Sequence, residues 1–218
     1  MFIGHFGLAL ATKRVAPRVS LGTTIFAAEF LDCVWPLLVL AGVERFEIKP
    51  GITRVTPLDF IHYPWSHSLA MAIAWGALFG FTYWLVRRRV RDAGIVGALV
   101  VSHWFLDWLM HRPDLPLYPG DPHRHGLGLW NSVPVTLVLE FGMFAAGIYL
   151  FLKSSRARDR VGSIAFWALV VVLAASYLAA TFGPPPPSVT AVAASGLIGY
   201  LFVAWGWWID RHREPVGA

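Results

Sequence analysis

The chain has 218 residues, of which 56% are hydrophobic and 14% charged, and its net charge is +5. Soluble domains carry roughly 25% charged residues. The shortfall, with a mean hydropathy of +0.57, argues against an ordinary globular protein and for a single all-α helix bundle in lipid. The basic balance does not point to nucleic acid, because Lys and Arg stand in short clusters between apolar runs, as in the cytoplasmic loops of membrane proteins.

The first twelve residues, Met1 to Thr12, are apolar but too short to span a bilayer, and their charges follow rather than precede the apolar stretch, the wrong order for a cleaved leader. A half-helix dipping into the membrane would carry His5. Six runs of roughly 18–24 residues follow, each long enough to cross ~30 Å. They are Ser20–Val43, Ser66–Val86, Ala93–Met110, Trp130–Leu152, Val161–Phe182 and Ser188–Ile209. The single Cys33 lies inside the first, so no intrachain disulfide and no cysteine-based zinc knuckle can form. The run Gly183-Pro184-Pro185-Pro186-Pro187 is a stiff turn between the last two spans.

Basic clusters fall in alternate loops. Lys13, Arg14 and Arg18 precede the first span; Arg87 to Arg91, then Lys153 to Arg160, fill the second and fourth loops; Arg211 and Arg213 follow the last. Six crossings place all four clusters on one side, which predicts cytoplasmic termini and an inner-membrane location. The first four spans, residues 1–152, hold almost every buried ionisable group. Residues 153–218 read as a two-helix scaffold.

An ionisable side chain in hydrocarbon costs several kcal/mol unless paired, metal-bound or wetted. Helical rise places Asp32 roughly 21 Å from the basic side, and His103 and Asp107 roughly 18 and 24 Å. Glu140 lies roughly 15 Å below the opposite surface, and His67 starts its span there. The five can therefore meet in one half of the bundle.

His103 and Asp107, at i and i+4, share one helix face and offer an imidazole nitrogen and a carboxylate oxygen to a divalent cation; an intrahelical hydrogen bond is the plainer alternative. His111 continues that face by one turn. Glu29 and Asp32 are paired carboxylates at i and i+3, of which one can ligate while the other positions or carries a proton. In His62-Tyr63-Pro64-Trp65-Ser66-His67-Ser68, Pro64 breaks the helix and Ser66 is a candidate cap for the next one. His62 and His67 are candidate ligands there, and either can equally be an idle interfacial histidine. Arg112 can receive a phosphate or carboxylate at the mouth of the site, or anchor the chain at the membrane surface. His123 and His125 lie in a polar loop and read as solvated.

These motifs, in this order, resemble the YdjM-like, LexA-regulated inner-membrane metal-dependent hydrolases. The resemblance rests on Gly4-His5, on Phe30-Leu31-Asp32, on His62 to Ser68, and on Ser102-His103-Trp104-Phe105-Leu106-Asp107, and it covers residues 1 to about 120. Two departures stand out. Val34 and Trp35 occupy the places of a second acid and a histidine, and Tyr63-Pro64 replaces an Arg-Gly pair. The family is similar in motif order to zinc-dependent phospholipase C and P1 nuclease, which implies phosphoester hydrolysis at a metal cluster.

The expectation is a hydrolase with His67, His103 and Asp107 as core ligands and Asp32, His5, His111 and His62 as further ones. Glu140 or Glu29 would be the general base. Nitrogen and oxygen donors together suit Zn²⁺, Mn²⁺ or Fe²⁺. The substrate would be a small molecule or a membrane lipid carrying an ester or phosphoester. A transporter or channel using the same side chains as a proton or metal-ion relay is the alternative.

Overall fold

The structure, a computed structural model, describes residues 1–216. It is a helix bundle. Five helical stretches are long and apolar enough to cross a membrane: α5 (Leu69–Arg87), α6 (Val90–Met110), α7 (Val133–Ser154), α8 (Arg160–Phe182) and the interrupted pair α9 (Val189–Gly196) and α10 (Gly199–Arg211). A sixth is made by α2 (Leu21–Ala28) and α3 (Phe30–Leu40) if the two count as one span. The half-helix is present as α1 (Ile3–Thr12).

Local chemistry sets several boundaries. Ser20, Asp159 and Ser188 cap α2, α8 and α9 by accepting from the amides of Thr23, Gly162 and Ala191. Arg88 adopts a left-handed conformation (φ 55°) and turns α5 back into α6. Glycines let backbones touch where the driving force is packing rather than hydrophobicity. A Cβ on Gly7 would lie 2.6 Å from the Met143 carbonyl oxygen, which is why α1 can lie directly against α7.

Three expectations need correction. The first span is not continuous: Glu29 leaves helical geometry (φ −96°, ψ 8°) and the axis turns by 56°. The Ala28 carbonyl, which a straight helix would give to the amide of Asp32, instead lies 2.7 Å from His103 Nδ1. The second span does not start at Ser66. A single turn, α4 (Pro64–His67), stands apart from α5, the extended Ser68 lies between them, and it is Ser68 that caps α5. The segment before α4 is not a plain loop either. Strands β1 (Arg45–Ile48) and β2 (Leu58–His62) form an antiparallel hairpin with Phe46 opposite Phe60.

The bundle has two distinct ends. At one, β3 (Ser155–Ala157) pairs with β4 (Arg213–Pro215), His212 bonds Asp159, and Lys13 reaches Asp210. The fourth loop, the segment after α1 and the C-terminal segment thus share a side. The other end holds the hairpin, α4 and residues 111–129, tied together by bonds such as Arg54 N–H to Trp130 O and Ala70 N–H to Leu117 O. The C-terminal pair is also woven into the bundle, with Gly206 of α10 pressed against Gly22 of α2 and Gly196 of α9 against Pro36 of α3.

Candidate metal centre

Asp107 is the hub of the site. It is 2% exposed and projects from α6 between His103, one turn before it, and His111, one turn after. Its Oδ2 lies 3.1 Å from His103 Nε2, 3.6 Å from His67 Nε2 and 3.8 Å from His111 Nε2. Its Oδ1 lies 3.1 Å from His5 Nε2 and 2.5 Å from the Met1 amine. Asp32, on the first turn of α3, completes the group: its Oδ1 is 3.3 Å from His67 Nε2 and 3.8 Å from His103 Nε2. The bend at Glu29 determines where this turn sits.

The opposite nitrogens of His103, His67 and His111 are spoken for. His103 Nδ1 donates to the Ala28 carbonyl at 2.7 Å. His67 Nδ1 is 2.7 Å from Ser66 Oγ, which donates in turn to Glu44 Oε2 at 2.6 Å, so the imidazole is the donor there. His111 Nδ1 is 2.9 Å from Asp114 Oδ1, which also accepts from the Tyr63 hydroxyl at 2.7 Å. With each Nδ1 carrying its proton, the three Nε2 lone pairs all face Asp107. Ligating histidines are held in this way, with the far nitrogen hydrogen-bonded to a carboxylate or carbonyl.

The donors fit a metal ion. His5, His103 and Asp107 form one buried triplet able to hold a cation, and Asp32, His67 and His103 form a second. Bonds of about 2.0–2.1 Å in a tetrahedral site place ligand atoms roughly 3.3 Å apart, inside the range of 3.1 to 3.8 Å seen around Asp107 and Asp32. His103 Nε2 is fully buried and has no hydrogen-bond donor or acceptor partner. A buried polar atom left unpaired costs about 1–3 kcal/mol, and a cation would remove that cost.

His5 reaches the site in a way the sequence did not suggest. The half-helix α1 begins at the cluster and runs away from it, so that Lys13 rather than Met1 marks the basic end. Glu140 holds it there. Both of its oxygens are taken, by the amides of Phe2 at 2.8 Å and Gly4 at 2.7 Å. Expected as a general base, Glu140 is instead the acceptor for the first turn of α1. The His5 ring stacks on His103 with centroids 3.8 Å apart, and its Nδ1 has no partner.

Glu29 lines the cavity beside the cluster, and its Oε1 is buried without a hydrogen bond. His62, expected as a ligand, is not brought to the cluster: it ends β2 opposite Arg45, and the inward place is taken by the next residue, Tyr63. Arg112 ion-pairs with Asp59 of β2 and approaches Asp114 at 3.5 Å. It fastens the hairpin to the end of α6. His123 is exposed, and His125 sits 3.8 Å from Asp121 in its own loop. Sequence reasoning missed Glu44, and Asp114 and Ser66 as partners of histidines. The only signal for Asp114 was its position three residues after His111.

The cavity measures about 500 Å³. Asp32, His67, Asp107 and His111 face it from one side, and apolar or small side chains of α1, α3, the hairpin, α8, α9 and α10 form most of the remainder. The fold and site together define a membrane-type helix bundle with a buried histidine–aspartate group that can hold a metal ion. No family model, characterised protein or solved structure matches the chain, so its chemistry is read from this geometry.

Proposed function

We propose that the protein is an integral membrane hydrolase that cleaves an ester or phosphoester with a divalent cation held by His67, His103, Asp107 and Asp32, and by His5 and His111 if a second ion binds. The observation that carries this reading is the convergence of three anchored imidazoles, each presenting Nε2, on a single buried carboxylate. Nitrogen and oxygen donors in this proportion favour Zn²⁺, with Mn²⁺ or Fe²⁺ next. When bound, the ion lowers the pKa of water and polarises the ester oxygen.

The chain supplies the rest. Glu29 has an unpaired oxygen in the cavity wall, which suits it to take a proton from water there. Glu44 and Asp114 keep the tautomers of His67 and His111 fixed. The resemblance to the YdjM-like hydrolases points the same way, and with it comes a bacterial inner-membrane location. The basic end would then be cytoplasmic, and the cluster would sit in the outer half of the membrane.

The test is metal analysis of the purified protein, followed by hydrolysis of a chromogenic phosphodiester with and without chelator and with His103→Ala. Bound zinc, and activity lost both to chelator and to the substitution, support the proposal. Protein without any divalent ion overturns it. Chelator-insensitive proton or metal flux into liposomes would also overturn it in favour of a relay; against a relay, α1 carries no ionisable residue between His5 and Lys13.

A further inference from the structure

The cavity beside the cluster is walled in part by two helices apolar enough to cross a membrane, α8 and α9. Ser176 and Ala180 of α8 line it from one side, and Val192 and Ser195 of α9 from the other. Ala180, Ser195 and the lining residue Ile198 are also exposed rather than buried. These residues lie within about three turns of the Gly183–Ser188 connection, on helices apolar enough to cross a membrane. An opening framed by exposed residues of two such helices can face hydrocarbon.

The side chains at this opening are small: Ser176, Ala180, Val192 and Ser195. Nothing ionisable stands in it. Farther in, Cys33, Phe6 and Phe202 continue an apolar passage to the acids and histidines. A path that is apolar at its mouth and polar at its end matches an amphiphile with its head inward.

We infer that the gap between α8 and α9 is a lateral portal, through which a bilayer amphiphile brings an ester or phosphoester head to the cluster while its chain remains among α8, α9 and α10. The substrate class named here rests on the hydrolase reading; the portal itself does not. Volume agrees with this assignment, because about 500 Å³ holds a head and part of a chain but not a whole diacyl lipid.

Cys33 lines the cavity but is only 1% exposed, so the reporter is Ser176→Cys in a Cys33→Ala background, Cys33 being the only cysteine in the chain. The protein is reconstituted in vesicles of phosphatidylethanolamine and phosphatidylglycerol, and the rate of alkylation at position 176 by N-ethylmaleimide is followed. Dodecyl phosphate at ten times its dissociation constant should slow alkylation about tenfold, as one-site occupancy requires, and inorganic phosphate at the same concentration should not. Ala180→Trp together with Ser195→Trp should abolish that protection. Val138→Trp, on a 72% exposed position of α7, should leave it intact and controls for folding. Equal protection by inorganic phosphate, no protection by dodecyl phosphate, or full protection in the doubly substituted protein would overturn the portal. Protection without bound metal would retain the portal and remove the hydrolase. Zinc binding and small-ester hydrolysis without protection would do the reverse.

Discussion

Two regions of this bundle bury charge, and they do so in opposite ways. At the basic end, Lys13 Nζ donates to the carbonyls of Pro17 and Val19 and lies 3.4 Å from Asp210, while Asp210 accepts from the amide of Leu21. Arg213 spends its guanidinium on Ser155 and Gly162 over the faces of Phe151 and Phe166. Cation meets anion there, and the donors find acceptors. At the histidine cluster the sum does not close: His103 Nε2, His5 Nδ1 and Glu29 Oε1 are buried without partners. A structural polar group is satisfied by its own chain, whereas a functional one keeps an atom free for something the chain does not supply.

The comparison breaks most sharply at Asp107. Asp107→Asn removes the carboxylate on which five nitrogens converge, and bound metal should fall below detection by elemental analysis, about a thousandfold loss of affinity or more. The Met1 ammonium, buried against Asp107, loses its ion pair at the same time, so the thermal midpoint should fall as well.

Glu44→Gln should come next. It weakens the acceptor behind Ser66 and His67 without touching the metal, and loss of such a partner costs about 10–100-fold in affinity. Competition with a chromogenic chelator measures it. An unchanged affinity would mean that the Ser66–Glu44 pair only holds α4 in place.

Lys13→Met tests the other region. It leaves Asp210 uncompensated, and a cost of about 2 kcal/mol is expected, below that of a fully buried pair because Asp210 keeps 21% of its side-chain surface. The thermal midpoint should fall and metal content should not. Adding Asp210→Asn should restore part of the loss.

The smallest effect is one of pH. The hydrogen bond from His212 holds the Asp159 carboxyl below its ordinary range. A carboxyl depressed in the folded state stabilises it above the unfolded value of about 3.9 and loses that contribution as pH falls through the lower folded value. The protection factors of the amides in the first turn of α8, which remove the intrinsic pH dependence of exchange, should therefore fall below about pH 4, while Asp159→Ala should show no such fall.

Much of the site was legible because it is helical. A 3.6-residue period puts His103, Asp107 and His111 on one face whatever surrounds them, and 1.5 Å per residue places Asp32 and His67 at a compatible depth. His62 misled because a histidine near a ligand in sequence is not near it in space once Tyr63 and Pro64 turn the chain. Glu140 misled because depth alone does not tell which neighbour a carboxylate serves, and here it serves two backbone amides. The hairpin was hidden by its shortness: four and five residues carry too little alternation to be read.

Composition, apolar run length and helical period determined by themselves that this chain is an all-α membrane-type bundle, and which face of α6 carries His103 and Asp107, because those properties depend on residues a few positions apart. Only the tertiary structure decided that the first span bends at Glu29, that α1 starts at the cluster, that Glu44 and Asp114 orient two of the histidines, and that residues of α8 and α9 line the cavity beside the cluster. Each of these depends on which distant backbone carbonyl, amide or side chain meets a given atom. Contacts across more than a hundred residues of chain, such as that between His5 and Asp107, leave no periodic trace in the sequence.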